Sequence, residues 1–303
     1  MILNVTLPFF ALVLLGYVAA RKRWVPVESI PAFNGFLLYF SVPAMLFNFA
    51  AGTPFAQLAD ARYFAAWSSA GATTCLVVYF AMRRAFAQPT RDAAFYGLAA
   101  AVSNSGFMGL PMIVALLGDR AAGPVILATA TDLVVVSSIG LGLVGGGSPK
   151  RLLMNPFLNA MLLGGVFSGL RWTLPSPVNE FVRLLGTAAG PCALFAIGLS
   201  LVRPDAPLKT PMLAVPVGVK LLAHPLLVWC AMQLLGVAPF ATMIAVLTAA
   251  LPSAGWVFIF AVRYKADAGR ISAAILLTTA IAFVTFSAIA WMYGVGRTHL
   301  TMP

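Results

Sequence analysis

The chain has 303 residues, of which 61% are hydrophobic and only 9% are charged, and its mean hydropathy is +0.95. Soluble domains carry about 45–50% apolar and about 25% charged residues, so this chain has too few charges to cover a water-exposed surface. The composition excludes a soluble globular fold and predicts an all-α, polytopic membrane protein without a sizeable aqueous domain.

The basic residues outnumber the acidic ones and give the chain a formal net charge of +11. They form short clusters between apolar runs without interleaved aromatic residues, which is typical of membrane anchoring rather than of nucleic-acid binding. The three cysteines lie far apart in apolar runs and show neither a disulfide framework nor zinc-ligand spacing. We therefore expect the lipid bilayer as a partner, and no nucleic acid, metal or cofactor.

Apolar runs between the charged residues predict ten membrane-spanning segments. In hydrocarbon the backbone must satisfy its own hydrogen bonds, so segments of this length should be helices. The predicted spans are 3–20, 32–51, 63–82, 94–117, 123–143, 155–170, 181–201, 211–235, 240–262 and 271–293.

The distribution of Lys and Arg predicts the orientation of these spans. Thirteen basic residues lie in the odd-numbered connections, against five in the even-numbered connections and the termini. Because cytoplasmic connections carry the excess of basic residues, the odd connections should be cytoplasmic and both termini extracytoplasmic.

The two halves of the chain resemble each other at an offset of 148 residues. Residues 43–47 then fall on residues 191–195, and Gly16 falls on Gly164. An ordered set of matches at nearly half the chain length indicates an internal duplication.

We predict two domains from this duplication. Residues 1–147 form the first five-helix repeat and residues 148–303 the second. A repeat of five spans inserts in opposite orientations because five is odd, and inverted repeats are typical of transporters that bind substrate near the bilayer midplane.

The fourth predicted span contains the run 103–111, which reads Ser-Asn-Ser-Gly-Phe-Met-Gly-Leu-Pro. Asn104 lies about 15 Å into the span at 1.5 Å per residue, close to the middle of the hydrocarbon core. Pro111 removes a backbone donor, and Gly106 and Gly109 loosen the helix on either side. The pattern predicts a broken helix with a polar residue at the break.

The ninth span has a corresponding break at Pro252 and Ser253. Each break frees backbone groups that should line a cavity, and the half-helix that follows directs its positive N-terminal end toward that cavity, which suits a carboxylate. A single proline in a membrane helix is commonly only a kink or a packing notch, but two breaks in corresponding spans favour a site. The substrate-binding candidates are Asn104, Ser105, Gly106, Asn48 and Ser253.

Charged residues deep in the membrane are rare and usually functional. Asp132, in the fifth span, is a candidate proton carrier or substrate contact, or else the partner of Lys220 in the eighth span. Lys220 is a candidate for ion coupling, or it extends to the cytoplasmic interface. His224 follows one turn later and is expected to have a hydrogen-bonded packing role.

Enzymatic chemistry has little support in this sequence. His224 and His299 are the only histidines, and no zinc-protease helix, paired carboxylates, phosphate-binding loop or dinucleotide fingerprint is present. We predict that the protein is not an enzyme.

The run from Asn104 to Pro111, together with Pro252, resembles the auxin efflux carrier family. The pattern Phe36-x-x-Tyr39-x-x-x-Pro43 in the second span and the Asn155-Pro156 pair that opens the sixth are also similar to that family. Its members include plant auxin exporters and bacterial carriers of malonate, malate and similar acids, and the similarity extends over essentially the whole chain.

The resemblance implies two inverted repeats whose broken fourth and ninth helices cross. It implies a dimerising scaffold of spans 1, 2, 6 and 7, and an elevator-type transport domain of spans 3–5 and 8–10. Asn104 would contact the substrate carboxylate, and Gly109, Pro111 and Pro252 would belong to the crossover. The connection 145–154 is far shorter than the regulated loop of the plant exporters, which argues against phosphorylation control there and against auxin as the substrate.

These observations predict a plasma-membrane carrier for small organic anions, most simply malonate- or auxin-like carboxylates. One alternative is a sodium-coupled symporter of the bile-acid type, although spans four and nine contain no acidic residue to bind sodium. Another is a membrane sensor or scaffold that binds a carboxylate without moving it.

Overall fold

The computed structural model describes residues 2–54, 60–144, 156–200, 202 and 211–295. Within these ranges the chain is helical apart from short connections, and it forms no strand beyond one isolated bridge. The connection 145–154, the Asn155 of the Asn-Pro pair and His299 lie outside the described residues.

Fifteen α-helices cover most of this part of the chain, in the order α1 to α15. They are Ile2–Arg21, Ile30–Phe36, Val42–Gly52, Ala61–Ala85, Thr90–Ala101, Leu110–Leu117, Ala122–Thr131, Ser137–Leu143, Pro156–Leu170, Ser176–Ser200, Pro211–Gly218, His224–Leu234, Pro239–Ala249, Trp256–Arg263 and Ala268–Met292.

The structure confirms an all-helical, polytopic membrane protein. Six continuous helical segments of 24 to 26 residues are long and apolar enough to cross a bilayer, namely 27–52, 61–85, 119–143, 176–200, 211–234 and 268–292. The other four predicted spans coincide with shorter apolar helices at 11–21, 105–117, 159–170 and 239–249. Ten membrane crossings therefore remain a prediction.

Four π-helical turns interrupt the α-helical geometry, at Leu37–Ser41, Ser105–Gly109, Asp132–Val136 and Val219–Ala223. In three of them a proline occupies the second position of the following helix: Pro43, Pro111 or Pro225. A proline has no N–H, and the residue before it donates to a carbonyl five residues back instead of four. Such turns are frequent at functional sites.

The helices pack in two groups, and glycines allow those of the first group to approach closely. Helix α1 packs on α10, and α3 packs on α9 and α10. A Cβ at Gly198 would lie 2.1 Å from the carbonyl oxygen of Val13, and one at Gly164 would lie 2.6 Å from that of Phe47. In a second group, α4 contacts α5 and α12, and α12 contacts α13.

We expect Gly198→Ala to destabilise the contact between α1 and α10. The added methyl group would overlap the backbone of α1, and overpacking of this kind costs about 1–3 kcal/mol. Thermal unfolding of purified protein in detergent measures the effect. Gly165→Ala is the matched control because nothing lies within 4 Å of its Cβ position; equal unfolding temperatures for the two variants would contradict the close approach.

Candidate functional site

Two interrupted helical segments meet inside the protein. Helix α5 ends at Ala101 and α13 ends at Ala249, and each is followed by a few non-helical residues. The N–H of Asn104 donates to the carbonyl of Pro252 over 2.8 Å, and the N–H of Ala254 donates to that of Val102 over 3.1 Å. These two bonds pair the breaks in antiparallel fashion and satisfy backbone groups that lipid would leave bare.

Asn104 lies at the centre of this pairing and is 3% exposed. Its own carbonyl accepts hydrogen bonds from the N–H groups of Met108 and Gly109. Its side-chain Oδ1 is buried and has no hydrogen-bond partner. A buried polar atom without a partner is costly in a folded protein, so this amide is a candidate for binding a ligand.

The two residues after Asn104 also lie at the break. The hydroxyl of Ser105 lies 2.8 Å from that of Thr129. Gly106 is half-buried, and a Cβ there would lie 3.3 Å from the Met45 side chain of α3. The structure therefore brings Asn104, Ser105 and Gly106 to one place.

Ser253 belongs to the second break and lies directly opposite Ser103. Its hydroxyl donates to the carbonyl of Ala99 over 2.5 Å, and its N–H donates to the hydroxyl of Thr278 over 3.2 Å. Ala99 lies in the last turn of α5, so Ser253 caps a free carbonyl of the other broken segment. Its hydroxyl is engaged within the protein.

The two prolines and Gly109 occupy different positions relative to the breaks. Pro252 lies within the second one and accepts from Asn104. Pro111 lies beyond the first one, in the first turn of α6, where its missing N–H costs little. A Cβ at Gly109 would lie 2.4 Å from a methyl group of Leu251, so this glycine lets the broken segments touch.

Asp132 and Lys220 are both buried next to the pairing. Asp132 accepts from the indole Nε1 of Trp67 over 2.7 Å and from the N–H of Ser103 over 3.2 Å. The Nζ of Lys220 donates to the hydroxyl of Ser103 over 2.6 Å and to the carbonyl of Ala249 over 3.0 Å. Among the described residues the two charges form no direct ion pair; Ser103 lies between them.

Three expectations can be compared with this geometry. Lys220 is fully buried, so it does not extend to the interface. His224 is fully buried with Nδ1 3.0 Å from the hydroxyl of Thr74, which agrees with a packing role, while its Nε2 has no hydrogen-bond partner. Asn48 donates to the carbonyl of Val182 in α10 over 3.1 Å, so its amide joins α3 to α10. This bond does not involve the paired breaks.

A small cavity of about 20 Å³ adjoins the breaks, which is room for about one water molecule. Asn104 is not among the residues that line it. Phe107 and Gly255, which follow the two breaks, line it, and Asn34, Ser200 and Ser272 supply polar groups. None of the lining residues is charged. The turn after Asn104 and helix α14 both begin without a side-chain cap, and the positive ends of their dipoles lie beside the breaks. The N–H groups of Val257 and Phe258 already donate to the carbonyls of Ala254 and Gly255.

A second, smaller cavity of about 10 Å³ lies on the opposite side of the paired breaks, between Met112, Leu251 and Phe286. Its lining is apolar apart from backbone. Elsewhere in the described ranges, His, Cys, Asp and Glu side chains do not gather in a group that would hold a metal ion.

Sequence reasoning missed several residues that build this region. Ser103 contacts both buried charges, and Trp67 binds Asp132. Thr129 and Thr278 supply hydroxyls to the two breaks. The Ser-Asn-Ser run carried a signal for Ser103; the other three are ordinary residues of apolar spans, and their roles follow only from tertiary packing.

Comparison with known proteins places this architecture among transporters. The family described as Membrane transport protein matches residues 1–146 and 141–290. A protein of Rhizobium meliloti described as "Putative malonate transporter" is 31% identical, over 96% of this chain and 95% of its own length. An "Uncharacterized transporter" of Methanothermobacter thermautotrophicus is 25% identical, over 92% and 94%.

We expect Trp67→Phe to weaken the region around Asp132. The substitution keeps an aromatic ring against Tyr63, on which Trp67 stacks at 6.2 Å, but removes the indole donor. Hydrogen bonds to charged groups contribute about 1.5–3 kcal/mol, and the unfolding temperature should fall accordingly. Trp229→Phe, at a position that is 42% exposed, is the control; an equal fall in both variants would show that the indole donor is not what matters.

Proposed function

The chain belongs to the membrane transport protein family, the auxin efflux carrier family that its sequence resembles, and on that premise we propose that it is a secondary carrier of small organic anions. The matches point to a transporter rather than an enzyme. The proposed ligand group is a carboxylate, held where the two broken segments pair.

The observation that carries this proposal is the buried Asn104 amide, one polar atom of which has no partner. Rotating the amide by half a turn exchanges its oxygen and nitrogen, so this position can donate to a carboxylate oxygen. The helical turns that begin after the two breaks add the positive ends of their dipoles. An anion there is stabilised without a buried counter-charge.

The proposed architecture has ten spans in two inverted repeats, with the broken fourth and ninth spans crossing at the site. Helices of spans 1, 2, 6 and 7 pack on one another, and those of spans 3, 4, 8 and 9 pack on one another, which supports a scaffold and a transport domain. We extend the proposal to elevator-type movement, a homodimer formed by the scaffold, and a plasma-membrane location.

Contacts between connections support the predicted sidedness. Arg91 donates to the carbonyl of Lys265 over 3.1 Å, and the N–H of Asp267 donates to Asp92 over 2.8 Å, which joins the connection after span three to that after span nine. Both are odd-numbered connections. In this orientation the larger cavity opens toward the cytoplasm and the smaller one lies on the extracytoplasmic side.

The choice of acid follows from the relatives and from the cavity. The printed description of the Rhizobium relative names malonate, so malonate is the first acid to test, with auxin-like acids as the comparison. The larger cavity has apolar walls with a few polar groups, which suit the organic part of an acid once the cavity widens.

We expect Asn104→Ala to lower the affinity for the transported acid about tenfold or more, because a hydrogen bond to a charged group contributes about 1.5–3 kcal/mol. Uptake and binding of malonate and a panel of carboxylates by purified protein in liposomes measure this. Asn179→Ala, at an exposed position at the start of α10, is the control. Unchanged affinity in Asn104→Ala would remove Asn104 from the site.

A further inference from the structure

The amino group of Lys220 is held by both broken segments at once. It donates to the hydroxyl of Ser103 in the first break and to the carbonyl of Ala249 at the end of α13. Lys220 is fully buried, so water does not compete for these bonds. Both of its partners are oxygen atoms that accept, as an ammonium group requires.

The environment of Asp132 is complementary. The two bonds recorded for its carboxylate both come from N–H donors, the Trp67 indole and the backbone of Ser103. A carboxylate that meets only donors and an ammonium that meets only acceptors are the pattern of a charged pair, here separated by one serine. The pair places one positive charge at the pairing and balances it nearby, which lowers the cost of burial.

The oxygen atoms around Lys220 are also those that bind a small cation. Ala249 is the last residue of α13, so its carbonyl is a free acceptor at the negative end of the helix dipole. A serine hydroxyl and a nearby carboxylate complete the group. Broken transporter helices coordinate coupling sodium ions with such carbonyls and helix C-terminal ends.

We propose that the Lys220 ammonium is a tethered cation that occupies the position of a coupling ion, so that the carrier moves its acid without sodium. The inference rests on the proposed function only in treating the protein as a carrier. The cation position itself depends only on the contacts given above. This role of Lys220 explains why a lysine is buried at the pairing. It also means that each carboxylate crosses the membrane without a co-transported cation to balance its charge.

Cation binding tests the proposal without reference to any acid. Unfolding temperatures of purified protein are compared in sodium, lithium, potassium and choline chlorides at equal ionic strength. Lys220→Ala leaves the oxygen ligands and room for an ion, so one of the small cations should stabilise it by about 2–4 °C over choline, the shift expected for ligand linkage of about 1 kcal/mol. The parent protein and Lys265→Ala, which loses the same charge at an exposed position, should show no such difference.

Three further variants make the result decisive. Lys220→Arg keeps a tethered charge and should remain insensitive to the small cations, whereas the double variant Lys220→Ala with Asp132→Asn should lose the stabilisation because the balancing charge is gone. Lys220→Ser, which adds an oxygen ligand, replaces Lys220→Ala if the latter does not purify. If neither Lys220→Ala nor Lys220→Ser folds in any of the cations, a free ion does not substitute for the ammonium and the proposal is wrong.

Malonate uptake into liposomes gives the second readout. Uptake by the parent protein should change less than about twofold when choline replaces sodium, while Lys220→Ala should transport only with the small cation that stabilises it. Sodium-dependent uptake or sodium-specific stabilisation of the parent protein would overturn the tethered cation. If no acid is moved by any variant, the proposed function fails, and the unfolding measurements still decide whether Lys220 occupies a cation position.

Discussion

Backbone groups that are released in the middle of a bilayer have no water to bind, and the fold of this chain depends on the way two such interruptions satisfy each other. Asn104 and Ala254 donate across the pairing to Pro252 and Val102, and Ser253 caps a carbonyl of the opposite segment. These bonds hold two helix ends and two helix starts together. At the pairing itself, the side-chain Oδ1 of Asn104 has no partner, and this amide is the centre of the proposed anion site.

The polar residues around the pairing divide into two sets by charge. The Asn104 amide belongs to the proposed anion site, while the buried ammonium of Lys220 donates to a hydroxyl and a carbonyl oxygen of the same pairing. Asp132 balances this charge through Ser103. The interior thus carries no net charge of its own, and the uncapped helix starts are left to stabilise an incoming anion.

The sequence predicted the helical membrane class and the locations of both interruptions, because glycine, proline and polar residues stand out in long apolar runs. The binding role of Asn104 stays a prediction. The sequence also paired Gly16 with Gly164, and both are positions of close helix approach. Pro111 itself does not interrupt the helix: it follows a π-helical turn into which the hydrogen-bond ladder shifts.

The partners of the buried charges were beyond sequence reasoning. A lysine within a span looks the same in sequence whether its side chain extends to the interface or turns inward, and only packing showed that Lys220 is enclosed. In the same way, nothing in the pattern of the third span marks Trp67 as the donor to Asp132. Tertiary contacts decide such roles because they join residues that are far apart in the chain.

The most direct test of the central claim is an experimental structure of the purified protein with a bound carboxylate, beginning with malonate. The account predicts an acid oxygen within hydrogen-bond distance of the Asn104 amide, facing the first turns that follow the two breaks. An acid bound elsewhere, or continuous helices through residues 102–104 and 251–255, would contradict it.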